Sequence, residues 1–151
     1  MKKIILSLSI LFLITGNVFS AGSSGGDSES TKTKKNYEKA VAHINAAKKH
    51  EKKGKLEKAN KRYVKAQKLL IKSNDKKPND ADTLNYLGFT TRKLGDFENG
   101  EKYYLQGLAI NPNHKGINEY LGELYVATKR HNLAIERLEV LKGCNLSLIH
   151  I

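Results

Sequence analysis

Tyr86-Leu87-Gly88 and Tyr120-Leu121-Gly122 stand 34 residues apart, and the residues that follow each copy recur in the same order. With Ala81 as the opening position, Leu84, Leu87 and Gly88 fall at i, i+3 and i+4, the spacing of one buried stripe on a helix. Gly95-Asp96 then stops one helix and starts another. Glycine tolerates the left-handed conformation past a helix end, and an aspartate oxygen accepts from the free amides of the next first turn. A second helix is predicted over Phe97 to Ile110, where Phe97, Gly100, Tyr104, Gly107 and Leu108 keep helical spacing. Asn111-Pro112-Asn113 closes it, because proline cannot continue a helix and disfavours helical geometry in the residue before it. At Lys115 the pattern restarts, with Leu121, Gly122, Leu124 and Tyr125 in its first helix and Ala134, Leu138 and Leu141 in its second. The fold class that follows is all-α, antiparallel helix hairpins stacked side by side.

Residues 81 to 142 resemble the tetratricopeptide repeat family. Its pattern at this period has a large apolar residue, Leu-Gly or Leu-Ala, an aromatic, a small residue and an aromatic in the second helix, and a terminal proline. The chain departs from it at Thr91, where an aromatic is usual, at Gly107, where alanine is, and at Lys129, which replaces the turn glycine. Gly88, Gly100, Gly122 and Ala134 are expected where helix backbones come close. The resemblance implies a short superhelix with repeats at 81–114 and 115–145, the second truncated, whose first helices line a concave face. Inward positions are then Asp82, Asn85, Phe89 and Arg92 in one repeat and Glu119, Glu123 and Val126 in the next. Asn85 and Arg92 can donate to a peptide backbone or carboxylate, Phe89 can offer an apolar platform, and Glu119 with Glu123 favours a basic segment. The acidic pair argues against the carboxylate clamp of some family members. The implied role is a protein or peptide scaffold.

An upstream unit is visible in weaker form. Gly54, Leu56, Ala59, Tyr63 and Ala66 align with Gly95, Phe97, Gly100, Tyr104 and Gly107. They predict a hairpin within 36–77, helices near Tyr37 to Lys53 and Leu56 to Lys72, followed by seven extra residues, Asn74 to Asp80. It is either a true repeat or a lysine-rich hairpin that caps the array.

At the N-terminus, Lys2 and Lys3 precede an uncharged run from Ile4 to Ile14, and Val18-Phe19-Ser20 suits cleavage before Ala21. Residues 1–20 therefore read as a signal peptide. The run falls short of the about 20 residues a membrane span needs, so export to the bacterial periplasm or beyond is the expectation. Residues 21–35 contain no large apolar side chain and are expected to be a disordered tether. At the other end, Leu146-Ser147-Leu148-Ile149-His150-Ile151 has no place in the repeat. It resembles the translation of CTG TCT CTT ATA CAC ATC, part of a transposon adapter, and is expected to be a library scar after a natural sequence that continues past Asn145. Cys144 is the single cysteine, and a partner for it could lie in that continuation.

Charge is unevenly placed. Residues 32–77 hold 16 Lys and one Arg against four acidic side chains, a net charge of +13, while residues 78–151 hold eight basic and nine acidic groups. Lys48, Lys49, Lys52, Lys53, Lys55, Lys58 and Lys61 form the densest part. They are either a solvated helical face or a surface that attracts anionic envelope material. Nucleic acid is disfavoured, since base and bidentate phosphate contacts prefer arginine over lysine.

Nothing in the sequence points to catalysis. His43, His50, His114, His131 and His150 make no metal-ligand pattern with Asp, Glu or Cys, and there is no phosphate loop, nucleophile elbow or HExxH segment. Glu119 and Glu123 share a helix face without implying a pocket. No cofactor and no metal are expected.

Overall fold

The structure, a computed structural model, describes residues 26–146. Among the described residues six helices follow one another: α1 Gly26–Glu51, α2 Leu56–Lys76, α3 Ala81–Lys93, α4 Phe97–Ile110, α5 Lys115–Ala127 and α6 His131–Leu146. They pair as three hairpins, α1 with α2, α3 with α4 and α5 with α6. The predicted leader, residues 1–20, and residues 147–151 of the predicted adapter-derived tail lie outside the described residues; Leu146 ends α6.

The three hairpin turns are built alike. Gly54 N–H donates to the Glu51 carbonyl at 2.8 Å and Lys55 N–H to that of His50 at 2.9 Å. The same pair of bonds runs from Gly95 to Arg92 and Asp96 to Thr91, and again from Lys129 to Val126 and Arg130 to Tyr125. This crossed pattern satisfies the last carbonyls of a helix and needs one residue in the left-handed region. Gly54 (φ 67°), Gly95 (φ 96°) and Lys129 (φ 61°) occupy it. Asp96 then caps α4 by accepting from Asn99 N–H at 3.0 Å, and Asp80 caps α3 by accepting from Thr83 N–H at the same distance. The first hairpin thus shares the turn of the other two.

Its helices are longer than predicted. The tether expected over residues 21–35 is helical from Gly26, and α2 runs to Lys76 rather than Lys72. The seven-residue insertion takes the form of two added turns of α2, which has 21 residues where α4 has 14; of Asn74 to Asp80 themselves only Asn74 to Lys76 are helical. Those turns bury Leu70 and Ser73. In an antiparallel hairpin they can be covered only by a matching N-terminal extension of α1, and Thr33 there is buried, its carbonyl accepting from the Ser73 hydroxyl at 3.4 Å. Pro78 ends the extension as Pro112 ends α4, by excluding helical geometry at the preceding residue.

Packing repeats with the sequence. Tyr63 and Tyr104, at equivalent places in α2 and α4, are fully buried, each worth roughly 1.5–3 kcal/mol in transferred surface. Small residues make room for them. A Cβ on Gly88 would stand 2.5 Å from the Tyr104 ring, and one on Gly100 would stand 3.2 Å from the Gly88 carbonyl oxygen. Gly122 differs from the expectation: its nearest foreign atom is Arg137 Cβ at 3.6 Å, an ordinary contact. The last hairpin is correspondingly open, with Ile135 and Leu138 of α6 exposed.

Contacts between hairpins set the curvature. α1 touches α3 and α3 touches α5, whereas α2, α4 and α6 do not touch one another. The first helices are therefore on the inside of the bend and the second helices on the outside.

Candidate functional site

The inner face is paved with rings. Tyr37 of α1, Tyr86 of α3 and Tyr120 of α5 are half-buried, with Tyr37 and Tyr86 centroids 5.9 Å apart. Phe89 lies beneath them, 4.7 Å from Tyr120 and 5.7 Å from Tyr63. Burial raises the Tyr37 and Tyr86 hydroxyls above the ordinary tyrosine range, with Asp82 adding to the effect at both. These phenols stay protonated and able to donate. Partly exposed tyrosines of this kind combine an apolar body with a polar tip, the chemistry enriched where proteins meet proteins.

Lys48 joins this cluster rather than the cationic surface assigned to it from sequence. Its Nζ sits 4.7 Å over the Phe89 ring and donates to the Tyr120 hydroxyl at 3.0 Å. A lysine ammonium is drawn to a ring face by the quadrupole, and more strongly when partly desolvated. Lys49, Lys52, Lys53, Lys55, Lys58 and Lys61 remain exposed, Lys61 in an ion pair with Glu57 at 2.6 Å.

Those of the predicted inward residues that make contacts do so in roles the sequence did not indicate. Phe89 is buried under Lys48 and Tyr120 instead of standing open as a platform. Asn85 is 6% exposed and packs against α5, where a Cβ on Gly116 would meet its Nδ2 at 2.9 Å. Arg92, with its side chain 11% exposed, spends its charge on Glu123 across the α3–α5 boundary at 2.6 Å. That pair joins two repeats. Glu119 and Val126 stay exposed, and Asp82 accepts from His114 Nε2 at 3.0 Å.

His114 was not singled out in the sequence. Its Nδ1 accepts from Ile117 N–H at 3.1 Å and so caps α5, which puts the ring proton on Nε2 facing Asp82. The signal available was its place directly before the helix start, four residues after Ile110. The tyrosine row had a signal too: Tyr86 and Tyr120 each precede a buried leucine by one residue, a rotation of about 100° off the core stripe.

At one end the face opens into a cleft of about 760 Å³ between the N-terminal half of α1, the end of α2 and the start of α3. Lys34, Tyr37, Lys76, Lys77, Asp80 and Asp82 are among its walls. Tyr37 and Asp82 belong to both surfaces. The extra turns of the first hairpin create this cleft.

No family model and no curated protein matches the sequence. Solved structures do match in shape. The second tetratricopeptide repeat domain of Spaghetti (RPAP3), bound to the HSP90 peptide SRMEEVD, superposes with a TM-score of 0.53 at 15% identity, covering 76% of this chain and 95% of that one. The fold is that of tetratricopeptide repeats. A MamA RS-1 double mutant gives 0.51 at 22% identity over 70% of this chain and 56% of its own. MamA AMB-1 gives 0.50 at 14% identity over 79% and 92%.

Proposed function

We propose that the protein is a non-enzymatic scaffold or adaptor that holds an extended segment of a partner protein along its inner face, with the cleft by Tyr37 receiving one end. The observation that carries this reading is the row Tyr37, Tyr86 and Tyr120, partly exposed on the inside of a curved array where Arg92 is paired with Glu123 and His114 with Asp82. Rings held in place lose little conformational freedom on binding, while the Arg92–Glu123 and His114–Asp82 pairs leave few uncompensated charges to desolvate. A structural neighbour of this fold holds a peptide, which supports a peptide as the class of ligand here. Exposed Glu119 favours a basic residue in the partner. The leader-like pattern of residues 1–20 supports work outside the cytoplasm, in the periplasm or after secretion.

The test is a peptide selected from a display library on the immobilised protein, then measured in solution. Tyr86→Ala and Tyr120→Ala should each weaken it about tenfold or more, as expected of central aromatic anchors. Unchanged affinity in both, with thermal stability retained, would remove the inner face from the account.

A further inference from the structure

The turn between α1 and α2 carries a second surface. Lys49, Lys52, Lys53, Lys55 and Lys58 are all exposed there. The two carboxylates of the segment are already committed: Glu51 accepts from the Tyr63 hydroxyl at 2.9 Å and pairs with Lys93 at 2.7 Å, and Glu57 pairs with Lys61 at 2.6 Å. None of these five lysines has an ion-pair partner among the described residues. At their centre stands Leu56, 63% exposed, the most exposed large apolar side chain among the described residues. The crossed hydrogen bonds through Gly54 and Lys55 hold this turn in one conformation.

The corresponding turns lack this chemistry. Phe97 is flanked by Asp96 and Glu98, and Arg130 of the third turn is held by both carboxylate oxygens of Glu101 at 2.9 and 2.7 Å. The positive, apolar-centred tip is a property of the first hairpin alone.

We propose that this tip docks the protein on an anionic phospholipid bilayer, with the lysines against the headgroups and Leu56 entering the acyl boundary. Lysine is a compact, strongly hydrated charge suited to a diffuse anionic surface, where each one near the plane adds about fivefold in affinity. An exposed leucine amid such charges finds an apolar medium in a bilayer and none on a nucleic acid or a soluble polyanion. Docking uses none of the inner-face rings, so it stands or falls separately from peptide binding.

Flotation with phosphatidylcholine vesicles, with and without phosphatidylglycerol, tests it on the full chain. The parent should float with the anionic vesicles only, less so as salt rises. Combined Lys52→Gln, Lys53→Gln, Lys55→Gln and Lys58→Gln should lower partitioning several-hundred-fold, and Leu56→Gln about tenfold. Lys→Arg at the same four sites should bind like the parent. Lys65→Gln, Lys68→Gln and Lys72→Gln together, a change of similar charge further along α2, should shift it by less than about threefold. Circular dichroism melts establish that each variant is folded. Equal binding to neutral vesicles, or full retention by the quadruple glutamine variant, as insertion of the N-terminal apolar run would give, overturns the proposal. So does equal loss in the α2 control. Salt-sensitive binding indifferent to Leu56→Gln also overturns it and assigns the tip to a soluble polyanion.

Discussion

Lys129 shows how a single residue both follows and strains the repeat. It takes the left-handed place that Gly54 and Gly95 fill in the earlier turns, and a Cβ there costs roughly 1 kcal/mol or more. Lys129→Gly should raise the unfolding free energy by about 1 kcal/mol in urea melts, less the extra freedom glycine gains when unfolded. The glycines inside the helices divide by environment. Gly88→Ala drives a methyl into the buried Tyr104 ring and should cost about 1–3 kcal/mol. Gly122→Ala meets only Arg137 Cβ at 3.6 Å and should be neutral or stabilising by up to about 1 kcal/mol, since alanine is the better helix former. Equal effects at the two sites, read by thermal unfolding, would contradict the packing described. Sequence spacing marked both glycines as close contacts, because a period reports which face a residue is on and not how far away the neighbour lies. Lys48 escaped for a related reason: a lysine within a lysine-rich run reads as solvated, and only the fold brings Phe89 and Tyr120 under its ammonium group.

Among elements, α4 runs over the predicted Phe97 to Ile110, and α3 and α5 open at the predicted Ala81 and Lys115, since the turn and proline signals before them are local. The first hairpin was only half legible. Its turn and its Ala59, Tyr63 and Ala66 stripe are in the sequence, whereas the early start of α1 depends on a partner, the two added turns of α2, that no local pattern announces. This hairpin also carries a pH dependence. His43 Nδ1 accepts from Arg62 Nη1 at 3.2 Å, and burial, followed by the charges of Arg62 and Lys65, lowers its pKa from the ordinary 6.5. A folded state that resists protonation binds fewer protons than the unfolded chain once the pH falls below about 6.5. Stability should therefore decline as the pH falls through that value toward the lowered folded pKa. His43→Gln should flatten this decline in urea midpoints measured across that window, and an undiminished slope would place its origin in another group.

For the whole molecule, curvature and uneven stability have one source, contacts made only with neighbours in the stack. Among the helices α6 packs on α5 alone and leaves Ile135 and Leu138 in solvent, while the hairpin of α3 and α4 has a neighbouring hairpin on each side, the first through α3 and the third through both helices. Amide hydrogen exchange should be fastest in α6 and slowest in α3 and α4, as expected of a linear array whose end unit opens first. Uniform protection along the chain would instead indicate a single all-or-none unit. The array itself could be read from a 34-residue period. The character of its inner face could not, because the pairing of Arg92 with Glu123 and of His114 with Asp82 depends on how adjacent hairpins register. The most direct measurement is a nuclear magnetic resonance titration of the labelled protein with a display-selected peptide. The largest shifts should fall on Tyr37, Tyr86, Tyr120 and their neighbours on α1, α3 and α5; shifts centred instead on outer residues such as Val64 and Leu105 of α2 and α4 would contradict the inner face as the binding surface.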